Sequence, residues 1–200
     1  MTDEQLKITR TRILTETAKI IAAGGYAAFS MRRLAGALGL TAGALYRYFP
    51  TKQHVLIAYW SDALNDLRCR LARICDVESD PRDIILRILI AYAEFSLEDR
   101  DRFRLLFLEN DMGQFSDLAE DPIVLAPYHL VRERVADAIG MNILRPLPPD
   151  TATRILWGAV HGVVTLAITV KELDFSDIQD LVRQAAEAAV RGLSVAPGDA

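Results

Sequence analysis

The chain has 200 residues, of which 51 % are hydrophobic and 25 % are charged, with a net charge of −4. This balance is typical of a packed globular protein and excludes an intrinsically disordered chain. The charge is uneven, because residues 1–52 hold eight Lys and Arg against three acidic residues, a net +5 that leaves −9 for the remainder. A basic head on an acidic body is expected of a protein whose head alone contacts phosphate groups.

Three further features favour a cytoplasmic protein without a membrane span. Residues 1–5 are polar and acidic, whereas an export signal opens with basic and then apolar residues. Cys69 and Cys75 fit no metal-binding pattern and lie too far around a helix for a disulfide, so we expect free thiols. The longest apolar run, residues 155–170, is shorter than the roughly 20 residues that a membrane-spanning helix needs.

Two short helices joined by a tight turn are predicted after an opening helix of about residues 3–23. Ser30 and Thr41 stand at N-cap positions, where a side-chain oxygen accepts a hydrogen bond from the backbone of the first turn. Gly39 can adopt the left-handed conformation that ends a helix, and Pro50 stops the second short helix. The arrangement is typical of a helix-turn-helix, whose second helix enters the DNA major groove.

The outward face of the second short helix carries the candidate DNA contacts. With Leu45 and Phe49 facing inward, small residues point outward and would let the backbone approach a groove. Arg47 can donate two parallel hydrogen bonds to a guanine edge. The alternative is an ordinary helical hairpin with a solvated basic face. The predicted DNA-binding residues are Ser30, Arg32, Arg33, Thr41, Ala42, Gly43, Ala44, Tyr46, Arg47, Tyr48 and Lys52.

Helical periodicity continues to the end of the chain, and strand patterns are nearly absent. Helices are predicted over about residues 52–76, 81–97, 102–110, 122–139, 151–170 and 177–193. Asp80 and Asp150 are the expected N-caps of the helices that follow them. The predicted fold is all-α, with a three-helix helix-turn-helix domain over residues 1–52 and a helical ligand-binding and dimerisation domain over residues 53–200.

The last two predicted helices are candidates for a dimer interface. The first of them is apolar nearly all round, so it must be covered on more than one side. Pairing of both helices with their copies would give a four-helix bundle across a two-fold axis. The alternative is that both helices close the core of a single protomer. The predicted interface residues are Gly158, Gly162, Ile178, Leu181, Val182, Ala185 and Ala189.

Residues 12–56 resemble the N-terminal domain of TetR-family transcriptional regulators. In that family the opening helix ends in a Gly-Tyr pair, here Gly25 and Tyr26, and the recognition helix ends in an aromatic run followed by a lysine, here Lys52. Tyr48 stands where many members carry histidine, and Ile21 where many carry phenylalanine. Neither change affects the expected fold, but the first leaves one phosphate contact open.

A second resemblance lies near the C-terminus. Trp157, His161 and Gly162 are similar to a Trp…His-Gly signature of one group of TetR-type C-terminal domains, in which the last two helices form the dimer interface. The two resemblances together imply a homodimeric repressor that binds double-stranded operator DNA and is released by a small apolar effector. A TetR-type activator, or a helical ligand-binding or interaction protein without DNA binding, is the alternative.

An effector cavity is what the resemblance implies for the aromatic part of the chain. Ligand pockets are largely apolar and aromatic, with a few polar groups that orient the guest. The alternative is that these aromatic side chains fill the core. The predicted ligand-binding residues are Tyr92, Phe95, Phe103, Phe107, Met112, Tyr128, Trp157, His161 and Thr165.

Catalysis, metal binding and cofactors are not indicated. His54, His129 and His161 lie on three different predicted helices, and no nucleophile-elbow, zinc-protease, nucleotide or dinucleotide motif occurs. We therefore expect neither an enzyme nor a bound metal or cofactor.

Overall fold

The computed structural model describes residues 2–78, 80–108 and 122–195. Met112, one of the predicted ligand-binding residues, lies outside the described residues. Within the described residues the chain forms nine α-helices, which confirms the predicted all-α fold. They are α1 (Asp3–Gly24), α2 (Met31–Leu38), α3 (Ala42–Tyr46), α4 (Lys52–Val77), α5 (Pro81–Glu98), α6 (Arg100–Phe107), α7 (Pro122–Gly140), α8 (Pro149–Thr169) and α9 (Ile178–Leu193).

The helices pack into two compact units. The first comprises Met1–Leu64 with Asp99–Val124, and the second comprises Asn65–Glu98 with Leu125–Ala200. Helix α4 contributes its first half to the first unit and its second half to the second. These units are defined by packing, so the functional boundary predicted after residue 52 stays a prediction.

Three of the predicted N-caps are confirmed. The Ser30 hydroxyl accepts a hydrogen bond from the Arg33 backbone N–H at 3.2 Å, and the Thr41 hydroxyl accepts one from Ala44 at 3.2 Å. The Asp80 carboxylate accepts one from the backbone N–H of Arg82 at 2.8 Å. Each bond satisfies a backbone donor that has no partner within its own helix.

The prediction of Asp150 as an N-cap was wrong. Helix α8 begins at Pro149, whose missing N–H costs nothing in the first turn, and no side chain caps it. The Asp150 carboxylate instead accepts hydrogen bonds from the Tyr128 hydroxyl at 2.8 Å and from Arg132 Nε at 2.9 Å, both on α7. These two bonds hold the Asp150 pKa below its usual value.

The first unit has an apolar core beneath the hairpin. Ile13 and Ile21 of α1, Leu34 of α2, Leu45 of α3 and Leu56 of α4 are all buried in one cluster. Burial of such side chains is the main favourable contribution to folding, at about 25 cal/mol per Å² of apolar surface. The hairpin therefore rests on α1 and α4.

The second unit is built around α8, which packs against α5 and α9. Its inner face is buried and contains Leu156, Val160, Val164 and Ile168. Among the described residues α8 is the one helix whose length and composition would allow it to cross a membrane. The apolar run predicted from the sequence is shorter than this helix, because α8 begins at Pro149. Of this apolar stretch, 33 % is buried within the protomer, on the face that packs against α5 and α9.

Candidate DNA-binding and effector sites

The hairpin presents a defined outer face because its turn and its inner face are fixed. Gly39 ends α2 with a φ of +66°, a left-handed conformation that glycine adopts without steric cost. Leu38 and Phe49 are buried, so their side chains anchor the two sides of the hairpin. The opposite face is left to solvent.

Helix α3 is shorter than predicted, ending at Tyr46 and not near Phe49. The backbone N–H groups of Arg47 and Tyr48 donate to carbonyls three residues back, at 3.3 and 3.0 Å. Such bonds tighten the last turn of a helix, and Pro50 excludes helical geometry at the residue before it. Arg47 therefore stands at the end of α3 and not within it.

Most of the predicted DNA-binding residues are exposed on one hairpin. Tyr46 is 48 % exposed, and Ala44, Tyr48 and Lys52 are half-buried. A methyl group added at Gly43 would meet no atom within 4 Å, so packing inside the protomer does not require glycine there. The exposed members are Ser30, Arg32, Arg33, Thr41, Ala42, Gly43, Tyr46 and Arg47.

Lys52 has an aromatic partner that the sequence analysis missed. Its ammonium lies 3.9 Å from the centroid of the Tyr26 ring and 5.5 Å from that of Phe29. A cation over an aromatic face is stabilised by about 0.5–1 kcal/mol at an exposed site. The contact holds the start of α4 against the short turn that follows α1.

Two arginines of α1 also support the hairpin, in addition to contributing to the positive charge of residues 1–52. Arg10 Nη1 donates to the Tyr48 carbonyl at 3.1 Å, and Arg12 Nη2 donates to the Leu38 carbonyl at 3.1 Å. The partners are 38 and 26 residues apart in the sequence, so no local pattern could have revealed them.

The second unit contains a polar and aromatic cluster formed by Tyr92 of α5 with Trp157 and His161 of α8. The Tyr92 hydroxyl lies 2.7 Å from His161 Nδ1. The Trp157 ring centroid is 6.2 Å from that of Tyr92 and 5.5 Å from that of His161, both in edge-to-face geometry. Trp157 and His161 are four residues apart and so lie on one face of α8, where a tyrosine from a second helix contacts both.

Burial keeps this cluster uncharged near neutral pH. It raises the pKa of Tyr92 to about 12, although hydrogen bonds from Trp157 and Ser96 act in the opposite direction. It lowers the pKa of His161 below its ordinary value. The Tyr92 hydroxyl and His161 Nδ1 therefore share a hydrogen bond between two neutral groups, beside the Trp157 ring.

Thr165 lies one helical turn beyond His161. Its hydroxyl oxygen is buried and has no hydrogen-bond partner among the described residues. A buried polar atom without a partner costs about 1–3 kcal/mol, so such an atom requires an explanation. A hydrogen-bonding group of a bound molecule would satisfy it.

Four other predicted ligand-binding residues have contacts of their own. Phe103 and Phe107 belong to the first unit, where their ring centroids are 5.0 Å apart. Phe95 is buried, and the Arg70 guanidinium lies 5.4 Å from its ring centroid. Tyr128 donates to Asp150. Within the described residues no group of three His, Cys, Asp or Glu side chains could hold a metal ion.

The predicted interface residues lie on α8 and α9 with different exposures. Gly158 is exposed and Gly162 half-buried, and a methyl group added at either would meet no atom within 4 Å. On α9, Val182 is buried in the protomer's own core. The other predicted members on α9 are half-buried: Ile178, Leu181, Ala185 and Ala189.

Two family models match the chain. The model for bacterial regulatory proteins of the tetR family matches residues 13–59. The model for the tetracyclin repressor-like C-terminal domain matches residues 85–192, more than half of the chain. The assignment of residues 157–162 to one group of such domains stays a prediction.

Two relatives agree with these matches. The chain is 28 % identical to the HTH-type transcriptional regulator CymR of Pseudomonas putida over 174 residues, 82 % of this chain and 80 % of CymR. It is 47 % identical to the HTH-type transcriptional repressor KstR of Mycobacterium tuberculosis over 49 residues, 24 % of this chain and 22 % of KstR.

Solved structures share the fold. A protein of unknown function from Rhodococcus sp. RHA1 superimposes with a TM-score of 0.80 at 24 % identity, over 93 % of this chain and 95 % of the other. FadR of Bacillus subtilis, in complex with stearoyl-CoA, superimposes with a TM-score of 0.77 at 16 % identity, over 92 % of this chain and 98 % of FadR. RolR, in complex with resorcinol, superimposes with a TM-score of 0.68 at 19 % identity, over 98 % of this chain and 92 % of RolR. Because both family models match it, the chain belongs to the TetR family of DNA-binding transcriptional regulators, a family of regulators and not of enzymes.

Proposed function

We propose that the protein is a cytoplasmic, homodimeric repressor that leaves its operator when a small, largely apolar molecule binds to its second unit. The observation that carries the proposal is the neutral cluster of Tyr92, Trp157 and His161, followed by the unsatisfied hydroxyl of Thr165. KstR is named as a repressor, and the FadR and RolR structures contain small molecules. These relatives support repression and effector binding in this chain.

The operator-facing surface proposed here is the exposed side of α2, α3 and the turn between them. Arg47 would read a base edge, because a guanidinium matches the two acceptors of guanine. Arg32 and Arg33 would bind phosphates, and Ser30 and Thr41 would add donors beside their capping bonds. The open space around Gly43 supports a close approach of the helix backbone to the groove.

Dimerisation through α8 and α9 is supported by an apolar stripe that the protomer leaves uncovered. Ile155 is 46 % exposed and Leu166 is 48 % exposed. Gly158 and Gly162 lie between them at helical spacing, with open space around both. A second copy of α8 can approach closely along such a stripe. Two recognition helices must also reach successive major grooves about 34–36 Å apart, which requires a two-fold partner.

The effector proposed here is an apolar molecule with one hydrogen-bonding group. Rings of Tyr92 and Trp157 would pack against its apolar part. Its polar group would bond the Thr165 hydroxyl, within one helical turn of His161. A hydroxyl or carboxyl group meets this requirement, whereas a pure hydrocarbon would leave the Thr165 oxygen without a partner.

Coupling is assigned to α4, the continuous 26-residue helix that contributes to both compact units. A displacement of its second half would move its first half, which carries Lys52 beside the hairpin. The effector needs only to bind the form that does not fit the operator more tightly, and its preference limits how far it can displace DNA.

The test is binding of purified protein to the DNA upstream of its own coding region, with coding-region DNA of equal length as the control. We expect a dimer to protect a two-fold symmetric site and to repress transcription from the adjacent promoter. Equal affinity for both DNA fragments would refute operator binding, and stimulated transcription would identify an activator.

A further inference from the structure

Arg10 and Arg12 of α1 engage the C-terminal ends of both hairpin helices. Arg12 donates to the Leu38 carbonyl at the last residue of α2, and Arg10 donates to the Tyr48 carbonyl just beyond α3, each at 3.1 Å. Carbonyl groups at helix ends lack partners within the helix and carry partial negative charge. Each arginine therefore donates a hydrogen bond to a carbonyl that lacks a partner within its helix, and its positive charge stabilises the partial negative charge at that helix end.

The surroundings of Arg10 fix its direction. Its guanidinium lies 4.3 Å from the centroid of the buried Phe49 ring. Burial raises the pKa of Asp62 on α4, and the charge of Arg10 opposes that rise, so the two groups interact. Arg10 thus contacts a carbonyl and a ring of the first unit, and its charge also acts on the Asp62 carboxylate.

We infer that Arg10 and Arg12 are positioning residues for operator recognition, which hold the ends of α3 and α2 against α1 and do not contact DNA. The inference rests on the proposed reading face of α3. Helix α3 has only five residues, too few to be stable without tertiary contacts. A shift of α3 would misplace its base contacts, whereas the number of phosphate contacts would be unchanged.

The test compares Arg10→Gln with Lys7→Gln, which removes the same charge at an exposed position of α1. Anisotropy of labelled operator and non-operator duplexes is measured between about 50 and 200 mM salt. Arg10→Gln is expected to weaken operator binding about tenfold for each half-site, the equivalent of one hydrogen bond to a charged group in each protomer. Its non-operator affinity and its slope of log K against log salt should equal those of Lys7→Gln. Arg12→Gln should show the same pattern.

Arg32→Gln, on the proposed phosphate-binding face, is the second control and should reduce the salt slope by about 0.9 per protomer, or about 1.8 for the dimer. An equal reduction of the salt slope in Arg10→Gln would mean that Arg10 contacts a phosphate. An operator affinity of Arg10→Gln equal to that of Lys7→Gln would mean that the contact of Arg10 with the end of α3 does not affect recognition. Either result overturns the inference.

Arg10→Lys keeps the charge and can still donate to the Tyr48 carbonyl, so it should recover part of the lost operator affinity. A loss of the helical circular dichroism signal in Arg10→Gln would make Arg10 a folding residue and would also overturn the inference. If Arg32→Gln and Arg47→Ala both bind operator like the wild type, the proposed DNA face has failed instead. The two claims are thereby distinguished.

Discussion

The arginines near the hairpin differ in what their guanidinium groups contact. Arg47 is exposed at the end of α3, whereas Arg10 is bonded to the backbone at the same end. Replacing Arg47 by Ala should cost about 1–3 kcal/mol of operator affinity and relax the preference at one position of each half-site, because a base contact is lost. Affinities for operators substituted at single positions provide the measurement. An unchanged ranking of those operators would show that Arg47 does not read a base.

A pH dependence follows from His161. Burial lowers its pKa in the folded protein below the ordinary value of 6.5. Between the two pKa values His161 is therefore protonated in the unfolded chain but neutral in the folded chain. The contribution of neutral His161 to stability is therefore present above about pH 6.5 and is lost as the pH falls from there towards the folded-state pKa.

The measurement is the melting temperature at about pH 7.5 and 5.5, on either side of that value. His161→Gln should lose less stability on acidification than the wild type does. His129→Gln, at an exposed position, is the matched control and should behave like the wild type. Identical pH dependence in all three proteins would contradict the assignment of a depressed pKa to His161.

At the scale of single helices, α8 has two apolar faces with different roles. One face is buried in the protomer, and the other exposes Ile155 and Leu166. Gly162→Glu should place an unpaired carboxylate in the proposed interface of both copies and raise the dimer dissociation constant at least about 100-fold. Sedimentation velocity at micromolar concentration measures the fraction of dimer in the wild type and in Gly162→Glu.

Gly140→Glu, at the exposed end of α7, is the control and should remain dimeric. Neither substitution meets an atom within 4 Å at its Cβ, so both proteins should keep their helical content. A wild-type protein that sediments as a monomer would remove the basis for the proposed dimer.

Helix starts were predictable from the sequence where one side chain decides them locally. Ser30, Thr41 and Asp80 cap the helices that follow them, as predicted. The errors arose where distant residues intervene. Asp150 bonds to Tyr128 and Arg132 on another helix, so its position before an apolar run was misleading.

The candidate site was only partly accessible to sequence reasoning for the same reason. The four-residue spacing of Trp157 and His161 places them on one helical face, but no local pattern identifies Tyr92 of α5 as the hydrogen-bond partner of His161. Phe103 and Phe107 pack together in the first unit, and their role in ligand binding stays a prediction. An aromatic residue in the sequence does not reveal which core it joins.

In the whole molecule, operator binding is proposed for the first unit and effector binding for the second. Trp60 and Trp157 are the two tryptophans of the chain, one in each unit. In Trp60→Phe the fluorescence therefore reports only on the proposed effector site. Compounds that quench this protein and not Trp157→Phe are candidate effectors.

The most direct test of the central claim is to titrate such a compound into the preformed complex of Trp60→Phe with labelled operator. Quenching and release of DNA should follow the same concentration dependence, and saturating compound should weaken operator affinity about 5–150-fold, the usual range of allosteric coupling. Saturable quenching of Trp157 with unchanged operator affinity would contradict the claim, because the effector site and the DNA-binding unit would then be uncoupled.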